Sequence, residues 1–395
     1  MNGKLLPWLK QLHDEYGEVV RYAPNDVSFI SGETAWQDIY GFRTGKNKTN
    51  PYQKDRAWYI TPVNGVYGII TATTEAHSRM RRSLAHAFSD KALREQEGIL
   101  QSYIDLLIHR LRDQVEQGKP EVDMTRWYNY TTFDIITDLC FGEPLYCLRD
   151  NEYHSWVYLI FQTVKAFGVR NVVRRYPGLL ALSRQMIPKE ALEKREEFFH
   201  LVSEKSAERL EKGAVRPDII SYYIKNKDPE SEDLTKKELE SSLVAILTAG
   251  SETTATLLSG TTYLLLKHPE YLSKLVDEVR SRFKSQSEIT IEEVNKLPFL
   301  LACLQEGMRF YPPAPAGFPR IVPEEGDRIS GYYIPGGTSV SVSHHAAYHS
   351  ARNFTDPDEF IPGRWSEDAE ERFRGDKVAA FQPFSFGPRN CLGKK

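Results

Sequence analysis

Phe384-Ser385-Phe386-Gly387-Pro388-Arg389-Asn390-Cys391-Leu392-Gly393 is the most informative stretch of this 395-residue chain. It reads Phe-x-x-Gly-x-Arg-x-Cys-x-Gly. Gly387 and Gly393 let the backbone turn tightly beside a flat group, and Pro388 stiffens the loop by fixing its own φ and removing an amide hydrogen. Arg389 offers a permanently charged fork that suits a carboxylate. Cys391 can supply a thiolate, and Phe384 an apolar wall that shields it. These are the parts needed by a thiolate on haem iron, which pushes electron density onto the metal and favours O–O cleavage. A buried free cysteine in an aromatic loop is the competing reading.

Working outward, 41% hydrophobic and 12% aromatic residues can bury a large core. No repeat, low-complexity tract or Gly/Ser-rich linker marks a boundary, so a single domain over residues 1–395 is expected. A net charge of −3 argues against a nucleic-acid partner. The four cysteines, Cys140, Cys147, Cys303 and Cys391, form no Cys-x-x-Cys, which disfavours a zinc framework. They are also too sparse to staple so long a chain. No run of about 18 apolar residues is present, so no bilayer span is expected, and no signal-peptide pattern is seen. The sequons at Asn47, Asn129 and Asn353 read as unmodified.

Periodicity predicts a short amphipathic helix over residues 4–16, then a hairpin of Val19–Ala23 and Val27–Ser31 about Pro24-Asn25-Asp26. A second β-rich stretch, Arg328–Val342, carries Gly331, Pro335, Gly336 and Gly337 as turn residues. Most of the rest reads as helix. The strongest helix opens near Thr235, where Thr235-x-x-Glu238 forms a capping box, and runs towards His268-Pro269. Some 30 residues at about 1.5 Å each would span roughly 45 Å, enough to cross a domain.

Three further blocks carry chemistry. In Glu75-Ala76-His77-Ser78-Arg79-Met80-Arg81-Arg82, His77 and Arg81 share one helix face and could hold paired carboxylates. A solvated basic face explains the block equally well. In Ala249-Gly250-Ser251-Glu252-Thr253-Thr254 a mid-helix glycine costs about 1 kcal/mol against alanine, which implies that room is needed. Ala249 and Gly250 would leave space for dioxygen. Thr253 can turn its hydroxyl to the helix's own carbonyls or towards bound oxygen, and Glu252 can supply protons. A small-residue helix crossing is the alternative. The third block is Glu306-x-x-Arg309, whose spacing permits an ion pair. Tyr311-Pro312-Pro313 then ends that helix, and Phe360-Ile361-Pro362-Gly363-Arg364-Trp365 follows.

Together these blocks resemble the cytochrome P-450 superfamily over nearly the whole chain. Glu75–Ser89, Tyr311-Pro312-Pro313 and Ala347–Trp365 look most like fungal microsomal members of secondary metabolism. The resemblance implies a mainly α fold with a minor β region and a long central helix over haem b. It makes Cys391 the thiolate ligand within Phe384, Gly387 and Gly393, and His77, Arg81, Arg320 and Arg389 the propionate donors, with His77 where many relatives have tryptophan. Ala249, Gly250, Glu252 and Thr253 take the catalytic side. Glu306, Arg309 and Arg364 become a buried structural triad, unaffected by Gly363 where relatives commonly have glutamate. Arg79 and Arg82 are expected at the surface facing a redox partner. Ala245, Ala249, Ala314 to Phe318 and Trp58–Tyr67 would line an apolar substrate pocket.

The implied activity is insertion of one oxygen atom from O2 into a lipophilic small molecule. No Gly-x-Gly-x-x-Gly fingerprint is present, so NADPH would deliver electrons through a separate cytochrome P-450 reductase. The full-length protein is expected at the endoplasmic-reticulum membrane. This chain is expected to lack the anchor and the part that follows the cysteine loop in relatives, and so to be soluble or peripheral. Two alternatives stay open. One is a haem-thiolate isomerase or dehydratase that needs no reductase, disfavoured by the Glu252-Thr253 pair; the other is a truncated non-catalytic form of the fold. A thiol hydrolase lacks any Cys-His signature.

Overall fold

The computed structural model describes residues 4–43, 51–59, 62–119, 121–161, 173, 189–226 and 234–394. The chain divides into two compact units, one of Met1–Asp55 with Thr256–Lys394, the other of Arg56–Ala255.

The first unit holds the β structure. Its strands are β1 Val19–Ala23, β2 Asp26–Phe29, β3 Gln53–Lys54, β4 Arg320–Ile321, β5 Asp327–Ile329, β6 Tyr332–Ile334 and β7 Ser339–Val342. β1 and β2 form the hairpin expected about Pro24-Asn25, with Val19 opposite Phe29. β2 then pairs in parallel with β7, from Asp26↔Ser339 to Phe29↔Val342. β4 lies antiparallel to β7 and β3 antiparallel to β4, giving the order β1-β2-β7-β4-β3. Every residue of β2 and β7 is buried, as befits inner strands covered on both faces. β5 and β6 make a separate hairpin. Its two turn residues, Ser330 at φ 50° and Gly331 at φ 82°, have the positive φ that a two-residue hairpin requires.

Helices Leu5–Tyr16, Ala35–Tyr40, Pro269–Arg282, Pro298–Phe310 and His344–Tyr348 belong to this unit. Pro269 and Pro298 occupy first helical positions, where a missing N–H costs nothing. Phe29, Trp36, Tyr40, Val340, Val342, Tyr348 and Phe354 share one core, and Leu264, Leu265, Phe299, Cys303 and Phe360 a second.

The second unit is helical. Ser89 caps Asp90–Glu116, Asp123 caps Met124–Phe141 and Asp218 caps Ile219–Lys225, each through its side-chain oxygen. Met124–Phe141 is buried almost all round and ends at Gly142, φ 73°. Several of its buried polar side chains are satisfied, although Asn129 Oδ1 has no hydrogen-bond partner among the described residues. Thr131 and Thr137 donate to carbonyls one turn back, and Asp134 accepts from the Cys147 and Leu148 amides. The longest helix, Lys236–Lys267, has 32 residues. Its capping box is formed: Glu238 N donates to Thr235 Oγ1, and Thr235 N to Glu238 Oε2. The partition between units falls inside this helix, at Ala255 and Thr256. Two sequons are closed to modification, since Asn129 and Asn353 are buried; Asn47 lies outside the described residues.

His344 is 1% exposed, its ring set against Trp36, Phe318 and Tyr348. Burial pushes its pKa down to about 4 from 6.5. Between those values the unfolded chain binds the extra proton, so stability is complete above pH 6.5 and is lost as pH falls towards 4. At about 1.4 kcal/mol per pH unit this amounts to about 3 kcal/mol. His344→Phe is expected to flatten denaturant-measured stability across that window, and an unchanged slope would refute the assignment.

Candidate active site

Phe384–Gly393 forms a tight loop in the first unit. Asn390 N donates to Gly387 O at 3.1 Å, and Cys391 N to Phe384 O at 2.8 Å. Gly387 sits at φ 71°, and a Cβ there would lie 2.0 Å from the Tyr40 carbonyl oxygen, so no other residue fits. Gly393 differs from expectation: its φ is outside the left-handed range and nothing lies within 4 Å of an added Cβ. Arg389 and Phe384 are half-buried in the same loop.

Cys391 is exposed, whereas Cys140, Cys147 and Cys303 are buried. Burial pushes Cys147 and Cys303 up to about 12 and Cys140 higher still, so all three are held as thiols. Cys391 alone of the four combines a glycine-shaped loop with access to a cofactor.

Arg320 lies on β4 and is 4% exposed, and its Nη1 is enclosed with no hydrogen-bond partner. A buried guanidinium nitrogen left so is costly and suits an anionic group such as a propionate. Tyr40, which the sequence did not single out, joins Arg320 to the cysteine loop. Its carbonyl meets Gly387, its ring lies 5.5 Å from the Arg320 guanidinium, and its hydroxyl donates to Phe318 O and accepts from Val342 N.

Behind the loop, Glu306, Arg309 and Arg364 come together. Glu306 accepts from Arg309 Nε and Nη2, both at 2.8 Å, and from Arg364 Nε at 3.2 Å. It also accepts from Ile361 N and Trp365 Nε1. Arg309 donates onward to the Tyr348, Pro357 and Glu359 carbonyls. Gly363 leaves open space beside the group, so no packing depends on a side chain there.

The other candidates belong to the second unit. His77 is buried and Arg81 half-buried on helix Thr74–Ala85. Arg82 is exposed, but Arg79 is not a free surface cation. Its Nη1 and Nη2 engage the Glu238 carboxylate at 3.0 and 2.6 Å, holding that carboxyl below its ordinary range. On the long helix, Glu252 is half-buried with Oε1 enclosed and lacking a hydrogen-bond partner, and burial raises its pKa. Thr253 Oγ1 donates to Ala249 O at 2.6 Å, so the hydroxyl takes the intrahelical option.

Gly250 corrects the expectation of room for dioxygen. A Cβ there would stand 3.0 Å from Ile136 Cδ1 and 3.1 Å from Cγ1, so this glycine seats helix Met124–Phe141 against the long helix. Ala249, which is exposed, keeps an open flank. Of the aromatic loop Trp58–Tyr67, the rings of Trp58 and Tyr59 meet edge to face at 4.6 Å, while Ile60 and Thr61 lie outside the described residues.

Comparison with known proteins places this arrangement. The family model described as Cytochrome P-450 matches residues 2–395. The chain is 49% identical to the cytochrome P-450 monooxygenase lcsI of Purpureocillium lilacinum, over all of this chain and 76% of that protein. It is 45% identical to traB of Penicillium crustosum and 42% identical to astJ of Aspergillus oryzae, both cytochrome P-450 monooxygenases. Those matches cover 97% and 99% of this chain and 76% and 78% of the relatives. The chain belongs to the cytochrome P-450 family, and its activity is that of a haem-thiolate monooxygenase.

Gly387→Ala combines a left-handed φ, worth about 1–2 kcal/mol, with a backbone collision. It is expected to cost about 3 kcal/mol, read as a drop in thermal midpoint. Gly393→Ala should leave the midpoint near that of the parent.

Proposed function

We propose that this chain binds haem b through Cys391 and oxidises a lipophilic small molecule of secondary metabolism. Electrons would pass from NADPH through a separate cytochrome P-450 reductase. The observation that carries the reading is the exposed Cys391 in its glycine-shaped loop, with the orphaned cation of Arg320 joined to that loop through Tyr40. Arg389, Arg320, His77 and Arg81 are the donors for the haem carboxylates. Phe384 and Gly387 would shape the thiolate side, with Gly393 closing the motif without a steric demand of its own. When bound, the haem supplies activation of dioxygen for transfer of one oxygen atom to substrate.

Glu252 and Thr253 would hold and move protons. The raised pKa of Glu252 keeps a proton on its carboxyl to higher pH than an ordinary glutamate would. Thr253 Oγ1 donates its one proton to Ala249 O and keeps lone pairs free to accept; to pass a proton on, the hydroxyl would have to turn away from that carbonyl. The apolar character of Ala245, Ala249 and Ala314 to Phe318 suits a hydrophobic substrate. Among the described residues no helix is long and apolar enough to cross a membrane. The resemblance to microsomal members supports an endoplasmic-reticulum membrane setting, shared with a reductase.

Cys391→Ala is expected to abolish the reduced, carbon monoxide-bound Soret band at roughly 450 nm; a retained band removes Cys391 as ligand. Product should form only with NADPH and reductase. Product from a hydroperoxide alone would instead indicate an isomerase or dehydratase. Glu252→Gln is expected to lower product formed per NADPH about 100-fold. It should also remove the decline in rate as pH rises through the raised glutamate pKa, and a profile identical to the parent's would exclude Glu252 as proton donor.

A further inference from the structure

We infer that Asp376 is a positioning residue for the cysteine ligand, acting through Arg364 in a charge-balanced set of four buried side chains. The inference rests on the reading of Cys391 as haem ligand. Glu306, Arg309 and Arg364 together carry one net positive charge, and their side chains are only 0–1% exposed. An uncompensated charge at such a place is heavily penalised. Asp376, with a side chain 5% exposed, supplies the missing negative charge. Its Oδ2 accepts from Arg364 Nη1 at 2.7 Å and its Oδ1 from Thr355 N at 2.7 Å. Arg364 therefore spans two carboxylates, with Nε on Glu306 and Nη1 on Asp376, while Nη1 and Nη2 also donate to the Thr355 and Asp356 carbonyls.

Position along the chain gives this pair its reach. Asp376 is a buried tie at the start of the run that leads to the ligand. Beyond it, Lys377 N donates to Asn353 O, Trp36 Nε1 donates to Ala380 O, and Gln382 N donates to Tyr348 Oη. The Phe384 carbonyl then receives Cys391 N. Neutralising Asp376 removes the second counter-charge of Arg364, whose Nη1 keeps only the neutral Thr355 carbonyl, and loosens the start of this run. The ligand loop loses its reference to the buried cluster.

The test uses the full chain purified with haem, comparing Asp376→Asn and Asp376→Glu with the parent. Three quantities are read: haem retained per chain, the share of carbon monoxide-bound haem showing the thiolate Soret band, and the thermal midpoint. Asp376→Asn is expected to retain haem roughly tenfold less well, as outer-shell partners of metal ligands commonly show. The thiolate share of what remains should also fall, and Asp376→Glu should restore most of both. A parental share in Asp376→Asn overturns the inference, and so does a lowered midpoint with that share unchanged.

If Asp376→Asn does not fold, Arg364→Met with Asp376→Leu leaves only Glu306 and Arg309, whose charges cancel. Recovery of helical circular dichroism with the thiolate share still below the parent's supports the inference; a parental share, or failure as complete as in Asp376→Asn, overturns it. Cys391→Ala, run alongside, tests the ligand separately, because its outcome does not depend on Asp376.

Discussion

The first unit turns on one carboxylate. Glu306, wholly buried, accepts hydrogen bonds from two arginines, a backbone amide and an indole. Through them helix Pro298–Phe310 is tied to the Tyr348 turn, to residues 357–361 and to Trp365. Trp365 in turn packs on Phe381 at 4.7 Å, at the approach to the cysteine loop. Burying these charges costs several kcal/mol per ion, and only a complete set of partners repays it. Removing one member would therefore be felt far beyond the pair it breaks. The strength of the arrangement is specificity of place, since an apolar cluster could supply comparable stability without fixing where a loop must lie.

The segment Ala249–Thr254 relies on a different constraint. Thr253 reaches only one turn back along its own helix, and Gly250 is shaped by Ile136. A steric contact between two helices thus sets the backbone on which an acid and a hydroxyl are displayed. Among the described residues no ion pair to Glu252 is found, and burial raises its pKa.

Signals of short range were legible in the sequence. Thr235 and Glu238 cap the long helix because their spacing matches the first turn, and Val19–Ala23 with β2 closes a hairpin because the turn residues allow it. The cysteine loop and the Glu306 triad were legible because their residue types recur as a pattern. Long-range partners were not. Asp376 is one acid among many until Arg364 is seen to lack a second counter-charge, and Arg79 reads as a surface cation until Glu238 is found 159 residues away. Tyr40 carries no motif; it matters because its carbonyl faces Gly387. Gly250 signalled a need for space correctly, but only the packing identifies Ile136 as its occupant.

The parallel pairing of β2 with β7 has a consequence for how the chain is made. Asn25 donates to Gly337 O across 312 residues, so the first unit cannot close its sheet until the chain has been synthesised through β7. The contiguous second unit can complete its helices earlier, while the amino-terminal hairpin waits with an open edge. Such an edge invites pairing with other chains, and ribosomal synthesis at about 5–20 residues per second sets how long the wait lasts. Slow or interrupted translation between the two halves of this sheet would thus expose the newly made protein to aggregation before any cofactor could be bound.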